Sequence, residues 1–144
     1  MTSPRRRARR AALLALFEID QTDHPPAEAL ATGFAHEEIE RSGGQADFAG
    51  ALVQGVLDNK ARIDEIITET ASAWPLDQMA VTDRVALEIG VYEACIEGTV
   101  PLEVAINEAV ELAKTFGGEN SAGFVNAVLR TTVEGMAGAH AVPG

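Results

Sequence analysis

Leu102-Glu103-Val104-Ala105-Ile106-Asn107-Glu108-Ala109-Val110-Glu111-Leu112-Ala113-Lys114-Thr115-Phe116 carries the cleanest amphipathic pattern in the chain. Leu102, Ala105, Ile106, Ala109, Val110 and Ala113 recur at steps of three and four, which places them on one face of a helix. Gly117 and Gly118 end that helix, and Pro101 marks its start. Toward the C-terminus, Asn120 or Ser121 can cap a last helix lined by Val125, Val128, Leu129 and Thr132 to about Glu134. Residues 135–144 are Gly, Ala and Pro with one His, and are expected to fray as a flexible tail.

The same periodicity continues toward the N-terminus. Thr82 can cap a segment in which Val85, Ile89, Tyr92 and Ile96 recur, with Gly98 as a left-handed stop. From Asp47 to about residue 73, Phe48, Leu52, Val56, Ile63, Ile66 and Ile67 keep one helical phase, which Asp58-Asn59 can divide; Pro75 ends it. A helix over about 26–40 starts at Pro26 and stops before Ser42-Gly43-Gly44. The first helix, about 4–21, has Ser3 as its cap and Pro4 at its first position, and Asp23-His24-Pro25-Pro26 stops it. No convincing strand alternation is present, so the expectation is an all-α fold of about seven helices in a single domain over 1–134.

Composition agrees. The chain has 144 residues, 47% of them hydrophobic but only 5% aromatic, which suits helices packed through small and branched aliphatics. A single cysteine, Cys95, excludes an internal disulfide framework, and His24, His36 and His140 share no ligand spacing, so neither metal nor cofactor is expected. No apolar run approaches the roughly 18 residues of a membrane span, which leads to the expectation of a soluble, cytoplasmic protein. The first 17 residues are Arg-rich and free of acids, as in a transit peptide. They run directly into Ala12, Leu13, Leu16, Phe17 and Ile19, however, a stripe that belongs to a core.

Charge is unevenly divided. Five of the eleven basic residues are Arg5, Arg6, Arg7, Arg9 and Arg10, which leaves six against all twenty-two acids in the rest of the chain. A polyanion suits the basic end and a basic protein suits the acidic body. Five cations at a helix N-terminus oppose its dipole and one another. A solvated charge run is the plain explanation; a phosphate-binding edge is the functional one, since guanidinium groups grip phosphate oxygens and stack on bases. If all five engaged a single strand, log K would fall with log salt at a slope of about −3.5.

A second candidate is the segment from Lys114 to Phe124. Phe116 and Phe124 flank Gly117, Gly118, Asn120 and Ser121, which supplies aromatic faces, a cation and short polar groups near a helix N-terminus. The structural alternative is a pair of core plugs and a cap. Cys95 is read as an inert buried thiol. No nucleophile has a base beside it and no acid–base pair stands out, so no enzyme is expected.

Val100 to Phe116, continued by Gly117, Glu119, Ser121 and Phe124-Val125-Asn126-Ala127-Val128-Leu129, resembles the C-terminal signature of the bacterial transcription antitermination factor family NusB. Arg5-Arg6-Arg7-Ala8-Arg9 leading to Ala15-Leu16-Phe17, and Ile89-Gly90-Val91-Tyr92-Glu93, are similar to the opening and mid-chain helices of that family. The resemblance implies helices in two packed bundles, binding of boxA-type single-stranded leader RNA together with the ribosomal protein NusE, and action on the RNA polymerase elongation complex in ribosomal RNA operons. It assigns RNA contacts to Arg5, Arg6, Arg7, Arg9, Arg10, Lys114, Phe116, Gly117, Asn120, Ser121 and Phe124, and a NusE contact to Asp83. Packing of the first helix beside the 114–124 segment would then make one surface.

Some positions depart from the family pattern. Asn120 stands where many members carry Asp, which removes a negative charge and should favour RNA. Gly123 replaces a longer side chain, and Leu14 and Phe17 stand where some relatives have polar or Tyr residues. Two alternatives accompany the resemblance. One is a substrate-positioning module like the N-terminal domain of ribosomal RNA cytosine methyltransferases, although no cofactor-binding βαβ region follows before Gly144. The other is a self-associating scaffold, a homodimer with its arginine arm buried between copies.

Overall fold

The structure is a computed structural model that describes residues 2–141, with side chains through residue 137. The chain divides into two compact helical units, the second beginning at Asn59. No strand occurs among the described residues.

The first unit holds α1 (Pro4–Gln21), α2 (Pro26–Glu37) and α3 (Gly44–Asp58). Helix α1 starts as the sequence announces: the Ser3 hydroxyl accepts the Arg6 N–H at 3.1 Å, and Pro4 occupies the first turn. Ala8, Ala11, Ala12 and Ala15 are fully buried and give α1 a smooth face. Against it lies Gly33, where a Cβ would stand 2.5 Å from the Ala11 carbonyl oxygen, so the α1 and α2 backbones nearly touch. Helix α2 stops at Glu37, earlier than the expected 40. Glu38 turns left-handed at φ 57°, and the Ile39 N–H donates back to the Phe34 carbonyl at 2.9 Å. That turn returns Ile39 to the core beside Phe34 and Phe48.

In the second unit, α4 (Lys60–Thr70) is followed by a 3-10 turn, Leu76–Gln78, then α5 (Val81–Val91), a π-helical segment Tyr92–Glu97, α6 (Leu102–Phe116) and α7 (Ser121–Ala141). Helix α5 is the axis of this core. Val85 to Val91 are all buried, and at Gly90 a Cβ would come 2.6 Å from Leu129 and 3.1 Å from Ala109, so α5, α6 and α7 meet there. The π-helical turns replace the second half of the helix expected over 82–98, and Gly98 stops them at φ 73°, the expected left-handed residue. Helix α7 passes Glu134, where fraying is expected to begin, because packing continues. Gly135 lies against Thr70, and Met136 and Ala137 line a cavity of about 170 Å³ with Ala94, Cys95, Leu102 and Val133. Burial there pushes the Cys95 thiol up, which keeps it protonated and unreactive. Residues 142–144 of the expected tail lie outside the described residues.

One buried charge holds this unit together. Glu88, 3% exposed, meets Lys60 at 2.8 Å and Arg84 at 3.0 Å, and Lys60 also donates to Asp64 at 2.8 Å. Burial pulls the Lys60 pKa down, but hydrogen bonds to Asp64 and Glu88 outweigh it, so the value rises above 10.5. A raised lysine stabilises fully below its ordinary value and ceases to do so as pH climbs through the raised one. Thermal melts should therefore show a stability contribution that is level through neutral pH and lost above 10.5, and Lys60→Met should remove that contribution.

Candidate nucleic-acid interface

The arginines of α1 divide between framework and surface. Arg7 donates to the Glu37 carbonyl and, at 3.0 Å, to the Glu38 carbonyl, so its cation closes the C-terminal end of α2. Arg10 reaches the Glu37 carboxylate at 3.9 Å. Arg9 is only 4% exposed and its guanidinium lies 5.2 Å from the centre of the Phe48 ring, while exposed Arg5 lies 4.7 Å from the same ring. Contacts of this kind are worth about 0.5–1 kcal/mol at the surface and about 2 when desolvated. Repulsion among five cations is thus offset by the dipole of α2, by Glu37 and by one aromatic face. Arg6 is half-buried.

Phe48 sits in a groove of about 690 Å³ whose walls include Arg5, Glu38, Glu40, Ser42 and Gln45. Gln45 donates to the Pro4 carbonyl at 3.0 Å and ties the start of α3 to the start of α1. From sequence, Phe48 is an ordinary member of an apolar stripe. Its position one turn before Leu52, four residues after Gly44, is the signal that it lies near the start of a helix.

In the second unit, the α6–α7 turn is a braced loop. The Ser121 hydroxyl accepts the Gly118 N–H at 2.9 Å, and the Ser121 N–H donates to the Gly118 carbonyl at 3.1 Å. Ser121 is 7% exposed, so its side chain is first an internal strut. Gly117 is obligatory here: a Cβ would lie 2.4 Å from the Ser121 hydroxyl and 2.7 Å from the Ala113 carbonyl. On the far side, Arg130 clasps Glu103 with bonds of 3.0 and 3.1 Å and also donates to Asn126 at 3.0 Å, which fixes α7 against α6. Gly117→Ala should therefore lower the melting temperature by a few degrees, in line with about 1–3 kcal/mol of overpacking; thermal melts check it.

A cavity of about 440 Å³ opens beside this loop, lined by Met79, Asp83, Gly118, Glu119, Asn120, Ser121 and Phe124 among others. Asn120 is exposed and Phe124 half-buried. Three of the residues assigned from sequence, Asn120, Ser121 and Phe124, thus share one cavity. Phe116, Gly117 and Lys114 are not in its lining; Lys114 is exposed, 3.3 Å from Glu111. Asp83, assigned from the resemblance to a protein partner, is 8% exposed and faces the same cavity. Met79, after the 3-10 turn, carries no sequence signal that would have found it. Among the described residues no group of three His, Cys, Asp or Glu could hold a metal ion, and no helix is long and apolar enough to cross a membrane.

The described residues form an all-helical protein, with a ring flanked by guanidinium groups in one unit and an aromatic, amide-bearing cavity in the other as its candidate binding surfaces. A family model described as the NusB family matches residues 6–134, and the chain belongs to that family. The transcription antitermination protein NusB of Roseiflexus castenholzii is 44% identical over 135 residues, which span 92% of this chain and 94% of the relative. The NusB structure from T. maritima is similar with a TM-score of 0.78 and 33% identity, covering 93% of each chain. A crystal structure of the antitermination factors NusB and NusE in complex with dsRNA contains a chain with a TM-score of 0.81 and 25% identity, covering 93% of this chain and 98% of that one.

Proposed function

We propose that this chain is a transcription antitermination factor that binds boxA-type leader RNA as a single strand, together with NusE, and supports processive transcription of ribosomal RNA operons in the cytoplasm. Membership of residues 6–134 in the NusB family carries this reading, and a NusB of the same fold is solved in complex with NusE and dsRNA. The residues support it in three ways. Arg5, Arg6 and Arg10 retain solvent access on the basic edge. Phe124 and Asn120 offer a stacking face and a hydrogen-bonding group that only unpaired bases can meet. The acidic remainder suits a basic ribosomal protein.

In the first unit Arg5, Arg6 and Arg10 meet the phosphates, and in the second Lys114, Asn120 and Phe124 meet the bases. Arg7, Arg9, Ser121 and Gly117 contribute by holding those groups in place, and Phe116 by closing α6. A fluorescent boxA-like strand, a scrambled strand and a boxA duplex, each titrated with and without NusE, test the proposal. Tighter binding of the cognate single strand, strengthened by NusE, is expected; equal binding of all three would refute it.

A further inference from the structure

Arg5 and Arg9 stand one turn apart on α1, and their guanidinium groups lie over the same ring, 4.7 Å and 5.2 Å from the centre of Phe48. That ring is held from behind. Phe48 packs against the buried cluster of Ala8, Phe34, Ile39 and Ala49, and the Gln45 bond to the Pro4 carbonyl ties the start of its helix to the start of α1. The two arginines differ in access: Arg9 is buried, whereas Arg5 is exposed and lines the groove that Phe48 also lines. A ring engages only the face of a guanidinium, and the five N–H donors lie in its plane, so this contact leaves them available to an anion. Arg7, by contrast, commits donors to two backbone carbonyls. Glu38 and Glu40 line the same groove and would attract an Arg5 side chain left free to swing.

We propose that Phe48 is a positioning residue for RNA binding, whose ring holds the Arg5 guanidinium clear of Glu38 and Glu40 and ready for a phosphate oxygen. The phosphate then meets a cation that is already ordered, so less side-chain freedom is lost on binding. Phe48 acts through Arg5 and not by contact with the strand. The inference rests on the reading of the arginine edge as a phosphate contact.

A double-mutant cycle tests it apart from that reading and apart from packing. A fluorescent boxA-like strand is titrated with the full chain, Phe48→Leu, Phe48→Tyr, Arg5→Ala and Phe48→Leu/Arg5→Ala, and each protein is melted. Leucine keeps an apolar side chain on the cluster and removes the ring. Phe48→Leu should weaken binding about two- to fivefold, the range of an exposed cation–ring contact, and Phe48→Tyr, which keeps the ring, should bind as the parent does. With Arg5 already replaced, the leucine substitution should weaken binding no further. Phe48→Met, apolar and without a ring, takes the place of the leucine variant if that protein does not fold. An equal loss from Phe48→Leu with and without Arg5 would overturn the proposal, since Phe48 would then serve the fold alone, and so would no loss at all. An Arg5→Ala protein that binds as tightly as the parent would refute the phosphate contact itself, and the proposal with it.

Discussion

Gly33→Ala is expected to lower the melting temperature by several degrees, whereas Gly50→Ala should leave it unchanged or raise it. A Cβ at Gly33 would meet the Ala11 carbonyl oxygen at 2.5 Å and its carbonyl carbon at 3.2 Å, both backbone atoms of α1 that no rotamer change can move. Relief requires α1 and α2 to separate, at about 1–3 kcal/mol for an overpacked site. At Gly50 nothing lies within 4 Å, so alanine gains about 0.4–1 kcal/mol from a less flexible unfolded chain. The effect reaches the site as well. Separating the two helices draws Arg7 away from the Glu37 and Glu38 carbonyls and loosens the arginine edge. Thermal melts of the two variants check the sign; a Gly33→Ala protein that melts with the parent would show that α1 and α2 are not in backbone contact.

The second large effect is electrostatic. Replacing Arg5, Arg6 and Arg10 together by alanine should reduce RNA affinity by at least tenfold at low salt. It should also flatten the dependence of log K on log salt by about 0.7 per phosphate contact, or about 2 for the three. Arg7 and Arg9 are left in place deliberately. Arg7 closes α2, and Arg9 is buried on Phe48, so their removal would mix lost folding with lost binding. A variant that binds less tightly with an unchanged salt slope would show that these cations do not meet phosphate.

Periodicity was a good guide to the helices where the pattern was complete. Helix α6 begins and ends where its apolar face does, between Pro101 and Gly117. Helix α2 ended early because a left-handed Glu38 is a tertiary outcome, required to bury Ile39, that no local preference of glutamate announces. The π-helical turns after Val91 keep the apolar side chains inward at a different period, which a 3.6-residue template cannot distinguish.

The site was legible in composition more than in geometry. The arginines and the glycine-bounded turn announce themselves as residue types, but their division of labour does not. Arg9 precedes Ala12 and Leu13 by three and four residues, so it lies on the buried face of α1. Asp83 precedes Ala86 and Leu87 in the same way on α5. Both are charged residues on an apolar stripe, a signal present in the sequence but outweighed by the expectation that charge stays in water.

The proposed role of the arginine edge and of the α6–α7 loop in RNA binding is tested most directly by equilibrium titration of a boxA-like strand against the parent protein, Arg5→Ala/Arg6→Ala, Phe124→Ala and the three substitutions combined. Loss of affinity in each variant, with the largest loss in the combination, is expected. Either set of substitutions leaving affinity for the strand untouched would contradict it.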